Sequence, residues 1–269
     1  MNLHTRVKKD VINDLLLETD DDVETLNNTL RLLSKWRSIL IQNTYLKMEG
    51  PTVFSGPLSG LHFITESSEG CHLAKLLGTY EQPIHNHLRD LAEIEYEQII
   101  SIGCAEGYYA VGLTRLFPHA VSLAYDTDPT ARHKCEALAL LNNVQDKVKI
   151  HSDFLPDDFK QFKDRRALVI CDIEGQEISL FNENTVPSMS GIDIIIESHE
   201  CFNPAATDTL VARFSETHLI SVVKDNGCRT LTNMPAWFED MSHLDQLLSI
   251  WEWRAGPTPW LVMRSKKYN

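Results

Sequence analysis

From Glu97 onward the chain alternates short apolar runs with helix-patterned segments, and this alternation restricts the fold more than any other feature. The runs lie at 98–102, 121–125, 148–150, 167–171, 192–196, 219–223 and 260–263. Each is too short for a helix and has the near-continuous apolar character of a strand buried on both faces. Helical patterns separate them: 109–117, stopped by Pro118, then 130–141, 209–214 and 243–251. Asp128 is placed to cap the second of these, with Pro129 at its first turn. The expectation is one α/β domain over 97–269, its mainly parallel sheet covered by helices on both faces.

Residues 1–96 form a helical extension ahead of that domain. Val11, Leu15, Leu16, Val23, Leu26, Leu30, Leu33, Trp36 and Leu40 recur at spacings of three and four, and Asp20 to Asp22 suit the N-terminus of a second helix. Periodicity leaves two uses open: packing on the main domain or on a partner subunit in a homodimer, or a lid over a ligand site. Gly50, Pro51, Gly56, Pro57 and Gly60 then punctuate a short hairpin of 52–54 with 61–64, and a further helix spans about 83–93. The histidines of His85-Asn86-His87 have ligand-like spacing, but at i and i+2 on a helix they diverge, so they read as a surface pair.

Charge narrows the partners. Lys plus Arg number 25 against 38 Asp plus Glu, a formal charge of −13, which disfavours nucleic acid and anionic membrane surfaces as general partners. No apolar run approaches the ~20 residues that span a bilayer. The charged stretch 1–20 lacks a signal-peptide core. Six scattered cysteines without a C-x-x-C pair argue against a zinc module or a disulfide scaffold and fit a reducing cytosol, so a cytoplasmic protein is expected.

The chemistry concentrates after the first strand, in Ser101-Ile102-Gly103-Cys104-Ala105-Glu106-Gly107-Tyr108. Small residues at 103, 105 and 107 permit a tight turn and close approach of a ligand, and the following helix offers unpaired N–H groups. A dinucleotide fingerprint would read G-x-G-x-x-G or G-x-G-x-x-A; Ala105 and Tyr108 stand at its second and third places, which weakens a nicotinamide reading. Asp126 closes the second strand about 20 residues on, where a carboxylate accepts from ribose hydroxyls; with Asp128 capping the next helix, Asp126 is left for the ligand. Asp153 after the third strand is either an acceptor for an adenine amino group, with Phe154 covering the ring, or a solvated turn residue.

Over about 97–265 the chain resembles the class I S-adenosylmethionine-dependent methyltransferases. The glycine loop is similar to that family's D/E-x-G-x-G-x-G, with Ser101 in the acidic place and Ala105 in the middle glycine's. Asp172-Ile173-Glu174-Gly175-Gln176-Glu177 looks like the D-x-E-G-x-E of FkbM-type methyltransferases, and Gly78-Thr79-Tyr80-Glu81 like their G-x-Y/W-E. The resemblance implies a Rossmann-like, seven-stranded, mostly parallel sheet with helices on both faces and an N-terminal helical extension. It also implies S-adenosylmethionine as cofactor, S-adenosylhomocysteine as product, and O-methylation of a small-molecule acceptor such as a sugar, polyketide or other secondary metabolite. Glu81, Gly103, Cys104, Ala105, Glu106, Gly107, Tyr108, Asp126, Asp153, Phe154 and Asp172 are the expected cofactor residues. Glu106 or Glu81 would supply the charge absent at Ser101, Ala105 would allow close approach at a negative φ, and the N–H groups of 105–108 would face the methionine carboxylate.

An alcohol acceptor must also lose a proton. Asp172, Glu174, Glu197, His199 and Glu200 fall at the ends of the fourth and fifth strands, with His199 as the preferred general base and Asp172 and Glu174 beside it. Alternatively Asp172, Glu197 and His199 hold a divalent cation that lowers the hydroxyl pKa. Trp237, Trp251, Trp253 and Trp260 pack the core or a subunit surface, one or two of them walling the acceptor pocket. N-methylation is a weaker alternative because N/D-P-P-Y is absent after the fourth strand, and a non-catalytic nucleotide-binding scaffold would need no His199.

Overall fold

The computed structural model describes residues 2–16, 22–64, 71–163, 165–232, 234–254, 256 and 258–268. Helices α1 (Leu3–Leu16) and α2 (Asp22–Glu49) come first; Asp20 and Asp21 lie outside the described residues, while Asp22 is in the first turn of α2. The expected hairpin is a single antiparallel bridge between Thr52 and His62. After it come α3 (His72–Leu77), a 3₁₀ turn (Gln82–Ile84) and α4 (His85–Ala92). Then β1 (Gln98–Ile102), α5 (Tyr108–Leu116), β2 (Val121–Tyr125), α6 (Pro129–Leu141), β3 (Val148–His151) and β4 (Ala167–Cys171) alternate. The chain ends with α7 (Glu177–Leu180), β5 (Ile192–Glu197), α8 (Ala206–Phe214), β6 (His218–Val223), α9 (Ala236–Glu239), α10 (His243–Ile250) and β7 (Trp260–Ser265).

The seven strands form one Rossmann-like sheet in the order β3-β2-β1-β4-β5-β7-β6, parallel except that β7 runs antiparallel to both its neighbours. Alternation along the strands divides the core. Ile99, Leu168, Ile170 and Ile195 face one cluster, whose other side is built by Tyr45, Leu77, Leu88, Val111 and Leu138 from α2 to α6. Ile100, Val169, Cys171, Ile194 and Ile196 face a second, closed by Phe159, Phe181, Leu210 and Phe214. Each such fully buried side chain contributes on the order of 1.5–3 kcal/mol. The extension therefore shares a core with the sheet: α2 to α4 pack where a covering layer is required.

Asp128 caps α6 as expected, its carboxylate accepting from the Thr130 N–H at 2.8 Å. One reading is corrected, and one element was not expected. His85 is not a surface residue: it is buried, its Nε2 is 2.9 Å from the Tyr80 carbonyl, and burial lowers its pKa to about 4. Helix α3 has no counterpart among the expected elements because all six of its residues are buried, which erases the amphipathic period. None of the described helices is long and apolar enough to cross a membrane, and all six cysteines are free thiols.

One glycine controls how closely β1 and β4 meet. Gly103 has φ +74°, and a Cβ there would lie 1.7 Å from the Asp172 carbonyl oxygen. Gly50, after α2, has nearly the same φ of +75° with nothing within 4 Å of such a Cβ. Gly50→Ala should therefore cost only backbone strain, ~1 kcal/mol, whereas Gly103→Ala should cost ~1–3 kcal/mol more. Urea denaturation of the two variants measures the difference; equal costs would contradict the close contact.

Candidate active site

The parallel register places the carboxyl ends of β1, β2 and β4 side by side, and three cavities open there. The largest, about 440 Å³, is lined by Gly103, Tyr125, Asp126, Phe154, Glu174 and Leu180 among others. A narrow one, about 40 Å³, lies along the glycine loop between Lys75, Ser101, Ala105, Glu106 and Tyr108. The third, about 270 Å³, is bounded by Lys35, Tyr80, Glu197, His199, Trp253 and Arg254. Asp172 lines all three.

In the largest of the three, Tyr125, Phe154, Pro156 and Leu180 supply an apolar wall, and the carboxylates of Asp126, Asp172 and Glu174 line it as well. Phe154 packs edge-on to Tyr125 with centroids 4.9 Å apart, and Asp126 closes β2 beside them. Asp126 is not left wholly to a ligand, however: its two oxygens accept from the N–H groups of Ala105 and Asp128, each at 2.8 Å. Both bonds fix the carboxylate while lone pairs remain for further donors. Asp153 is exposed and is not among the residues lining this cavity, whereas its neighbours Ser152 and Phe154 are.

The glycine loop turns through alternate residues of positive φ, Gly103, Ala105 and Gly107. Ala105 has φ +46°, not the expected negative value, because the path from β1 into α5 demands that conformation here. The Gly103 and Cys104 N–H groups donate to the Tyr125 carbonyl at 2.9 Å, and that of Gly107 donates to the Cys104 carbonyl at 2.8 Å. With Ala105 engaged by Asp126, two of the N–H groups expected to face a carboxylate are used within the chain. Glu106 pairs with Lys75 at 2.5 Å. Glu81 belongs to a different network: Arg254 bonds it at 2.7 Å and Glu252 at 3.0 Å and also reaches Glu197, while Tyr109 donates to Glu81. Burial, and then the charge of Glu197, push Glu81 up to about 8 against the pull of Arg254.

His199 sits in the third cavity, buried and held from two sides. Its Nδ1 is 2.8 Å from Glu177 Oε1, and its Nε2 is 3.5 Å from Asp172 Oδ1 and 3.4 Å from Glu174 Oε2. Burial alone would lower the imidazole pKa; the Glu177 hydrogen bond and the charges of Glu197, Glu177 and Glu174 outweigh it and raise the value above 6.5. Burial opposes ionisation of Glu177 too, but His199 and the Gly175 N–H hold its carboxyl below the ordinary range. Asp172, Glu174 and His199 offer ligand atoms all within 4.8 Å of one another, as do Glu81, Asp172 and Glu197. Asp172 shares one group with His199 and the other with Glu197, so the expected set of Asp172, Glu197 and His199 does not converge as one, and Arg254 and Thr258 already bond Glu197.

Two contributors escaped sequence reading, and one of the expected tryptophans does wall a cavity. Glu177 lies in a quoted motif, but its fixed partner is His199, 22 residues on. Arg254 lies in a stretch without pattern and bonds Glu81 across 173 residues. Trp253, at φ +64°, walls the His199 cavity, while Trp260 is in the core.

No family model matches the chain, and no curated protein matches it. Similar solved structures include a human methyltransferase 10 domain containing protein, 12% identical, covering 86% of this chain and 96% of that one with a TM-score of 0.47. The O-methyltransferase TomG from Streptomyces achromogenes, involved in tomaymycin synthesis and solved with SAM, is 12% identical, with coverage of 98% and 99% and a TM-score of 0.43. The precorrin-6y C5,15-methyltransferase from Geobacter metallireducens is 10% identical, with coverage of 66% and 86% and a TM-score of 0.43. At these identities and scores the likeness carries no argument about activity.

Proposed function

We propose that this protein is an S-adenosylmethionine-dependent methyltransferase of FkbM type that methylates a hydroxyl group on a small acceptor. The observation that carries the reading is Asp172. It joins a nucleoside-sized cavity with a ribose-ready carboxylate to a second cavity holding a carboxylate-oriented histidine. The donor set fits the cofactor: aromatic walls for a base, Asp126 for a diol, and the carboxylate of Asp172 where positive charge is required. S-adenosylmethionine supplies a methyl group on a sulfonium and departs as S-adenosylhomocysteine.

The chain's own residues align the reactants and move one proton. Glu177 accepts from Nδ1–H of His199, which leaves Nε2 as the basic nitrogen facing the cavity; Nε2 takes the acceptor's hydroxyl proton. Asp172 and Glu174, beside Nε2, stabilise the imidazolium that results. The cavity of about 270 Å³ admits a small metabolite, with Trp253 as a flat wall suited to a sugar or ring. A divalent cation on Asp172, Glu174 and His199 is the second reading, favoured by the convergence of their ligand atoms. Cytoplasmic location, an auxiliary role for residues 1–96, and a homodimer through the exposed Leu26, Leu30 and Leu33 of α2 belong to the same proposal.

His199→Ala should leave S-adenosylhomocysteine binding unchanged and lower turnover ~100-fold or more. Because its folded pKa is raised, His199 is neutral only at higher pH, so activity should climb through a pKa above 6.5. Glu177→Gln should move that limb downward. The dyad's contribution to stability should be fullest between the ordinary values of 4.5 for Glu177 and 6.5 for His199. It should fade as pH rises through the folded histidine pKa or falls through the folded Glu177 pKa. An acid limb indifferent to Glu177→Gln would sink the base assignment. Methyl uptake from labelled cofactor into hydroxylated sugars, polyketides and phenols supplies the assay; turnover abolished by a chelator and restored by magnesium would transfer the role to the metal reading. In calorimetry, Asp126→Ala should weaken S-adenosylhomocysteine by ~1–3 kcal/mol.

A further inference from the structure

Lys75 of α3 and Glu106 of the glycine loop face each other at 2.5 Å with side chains only 4% and 0% exposed. Bringing two charges out of water costs several kcal/mol per ion, and an apolar pair of similar volume would serve stability as well or better. The pair lines the narrow cavity, and the Lys75 ammonium lies over the rings of Tyr80 at 4.9 Å and Tyr108 at 5.8 Å. That cavity, about 40 Å³, has room for roughly three water-sized groups. It shares Ile102, Gly103 and Asp172 with the nucleoside-sized cavity. A small head bearing both charges, tethered to a nucleoside, matches this shape.

We propose that Lys75 and Glu106 are the receptor for the amino-acid end of the cofactor, Lys75 pairing with its carboxylate and Glu106 with its ammonium. The proposal rests on the methyltransferase reading and deepens it. Two observations make the assignment specific. The backbone donors of Ala105 and Gly107 are engaged within the chain. Ser101, near the end of β1, lines the same cavity without a charge, so Glu106 is the carboxylate that the loop itself contributes there, with Asp172 entering from the end of β4. With the zwitterion present, four charges alternate in sign inside a space that excludes most water, where charge-assisted bonds are strongest.

The test is calorimetry of S-adenosylhomocysteine against 5′-methylthioadenosine, which keeps the nucleoside and thioether but lacks the amino-acid head. The parent protein should prefer S-adenosylhomocysteine by ~10-fold or more. Lys75→Met and Glu106→Gln should each weaken S-adenosylhomocysteine ~10–100-fold while changing 5′-methylthioadenosine less than ~3-fold, so the preference collapses. A preference that survives in both variants, whether affinities hold or fall together, would overturn the proposal and leave the pair as a loop tie. Should the variants fail to fold, decarboxylated S-adenosylhomocysteine on the parent protein decides instead. A loss of ~10-fold or more supports the Lys75 contact, and a smaller loss overturns it. If the parent binds neither S-adenosylhomocysteine nor 5′-methylthioadenosine, the methyltransferase reading itself fails, and the assignment with it.

Discussion

The loop leaving β1 lies so close to the backbone leaving β4 that no side chain fits between Gly103 and the Asp172 carbonyl. That contact depends on the parallel pairing of the two strands, which ends with Ile102 opposite Cys171 and the Asp172 N–H bonded to the Ile102 carbonyl at 3.0 Å. Three consequences follow from one short distance. Asp172 emerges where the cavities meet, the glycine loop is turned back under Tyr125, and the carboxylates after β4 face the end of β5. Moving the loop outward by a side chain's width would separate the nucleoside-sized cavity from His199.

The electrostatics around this junction are sorted by side. In a chain of net charge −13, the buried Lys75 and the partly buried Arg229 and Arg254 are each matched to carboxylates, and Arg254 by itself bridges Glu81, Glu197 and Glu252. Such pairs give little net stability, yet removing one partner strands the other, so they make the positions of the loops interdependent. The 80–82 loop, the end of β5 and the 252–254 segment meet through Arg254. Across the cavity Glu177, itself held by the Gly175 N–H, orients His199, while Asp172 and Glu174 supply its negative surroundings.

How much of this was legible in the sequence depends on whether a feature is local. Strand β1 at 98–102, β2 at 121–125 and β4 at 167–171 were expected with the boundaries the structure shows, because buried parallel strands leave continuous apolar runs. Asp126, Asp172 and His199 were legible for the same reason: each ends or follows a strand, and parallel topology delivers strand ends to one edge. Helix α3 was hidden by burial on every side, and the inward turn of His85 by its place under Tyr80. The positive φ of Ala105 breaks the preference of a residue with a Cβ, as strained sites do. Lys75 with Glu106, Glu177 with His199 and Arg254 with Glu81 are long-range pairs whose members carry no motif naming the other.

The most direct measurement of the central claim is a crystal structure of the protein with S-adenosylhomocysteine. The account predicts the base between Phe154 and Leu180, the ribose hydroxyls on Asp126, and the sulfur beside Asp172 with an open path to His199. A nucleoside bound elsewhere, or a sulfur shut off from His199, would contradict it.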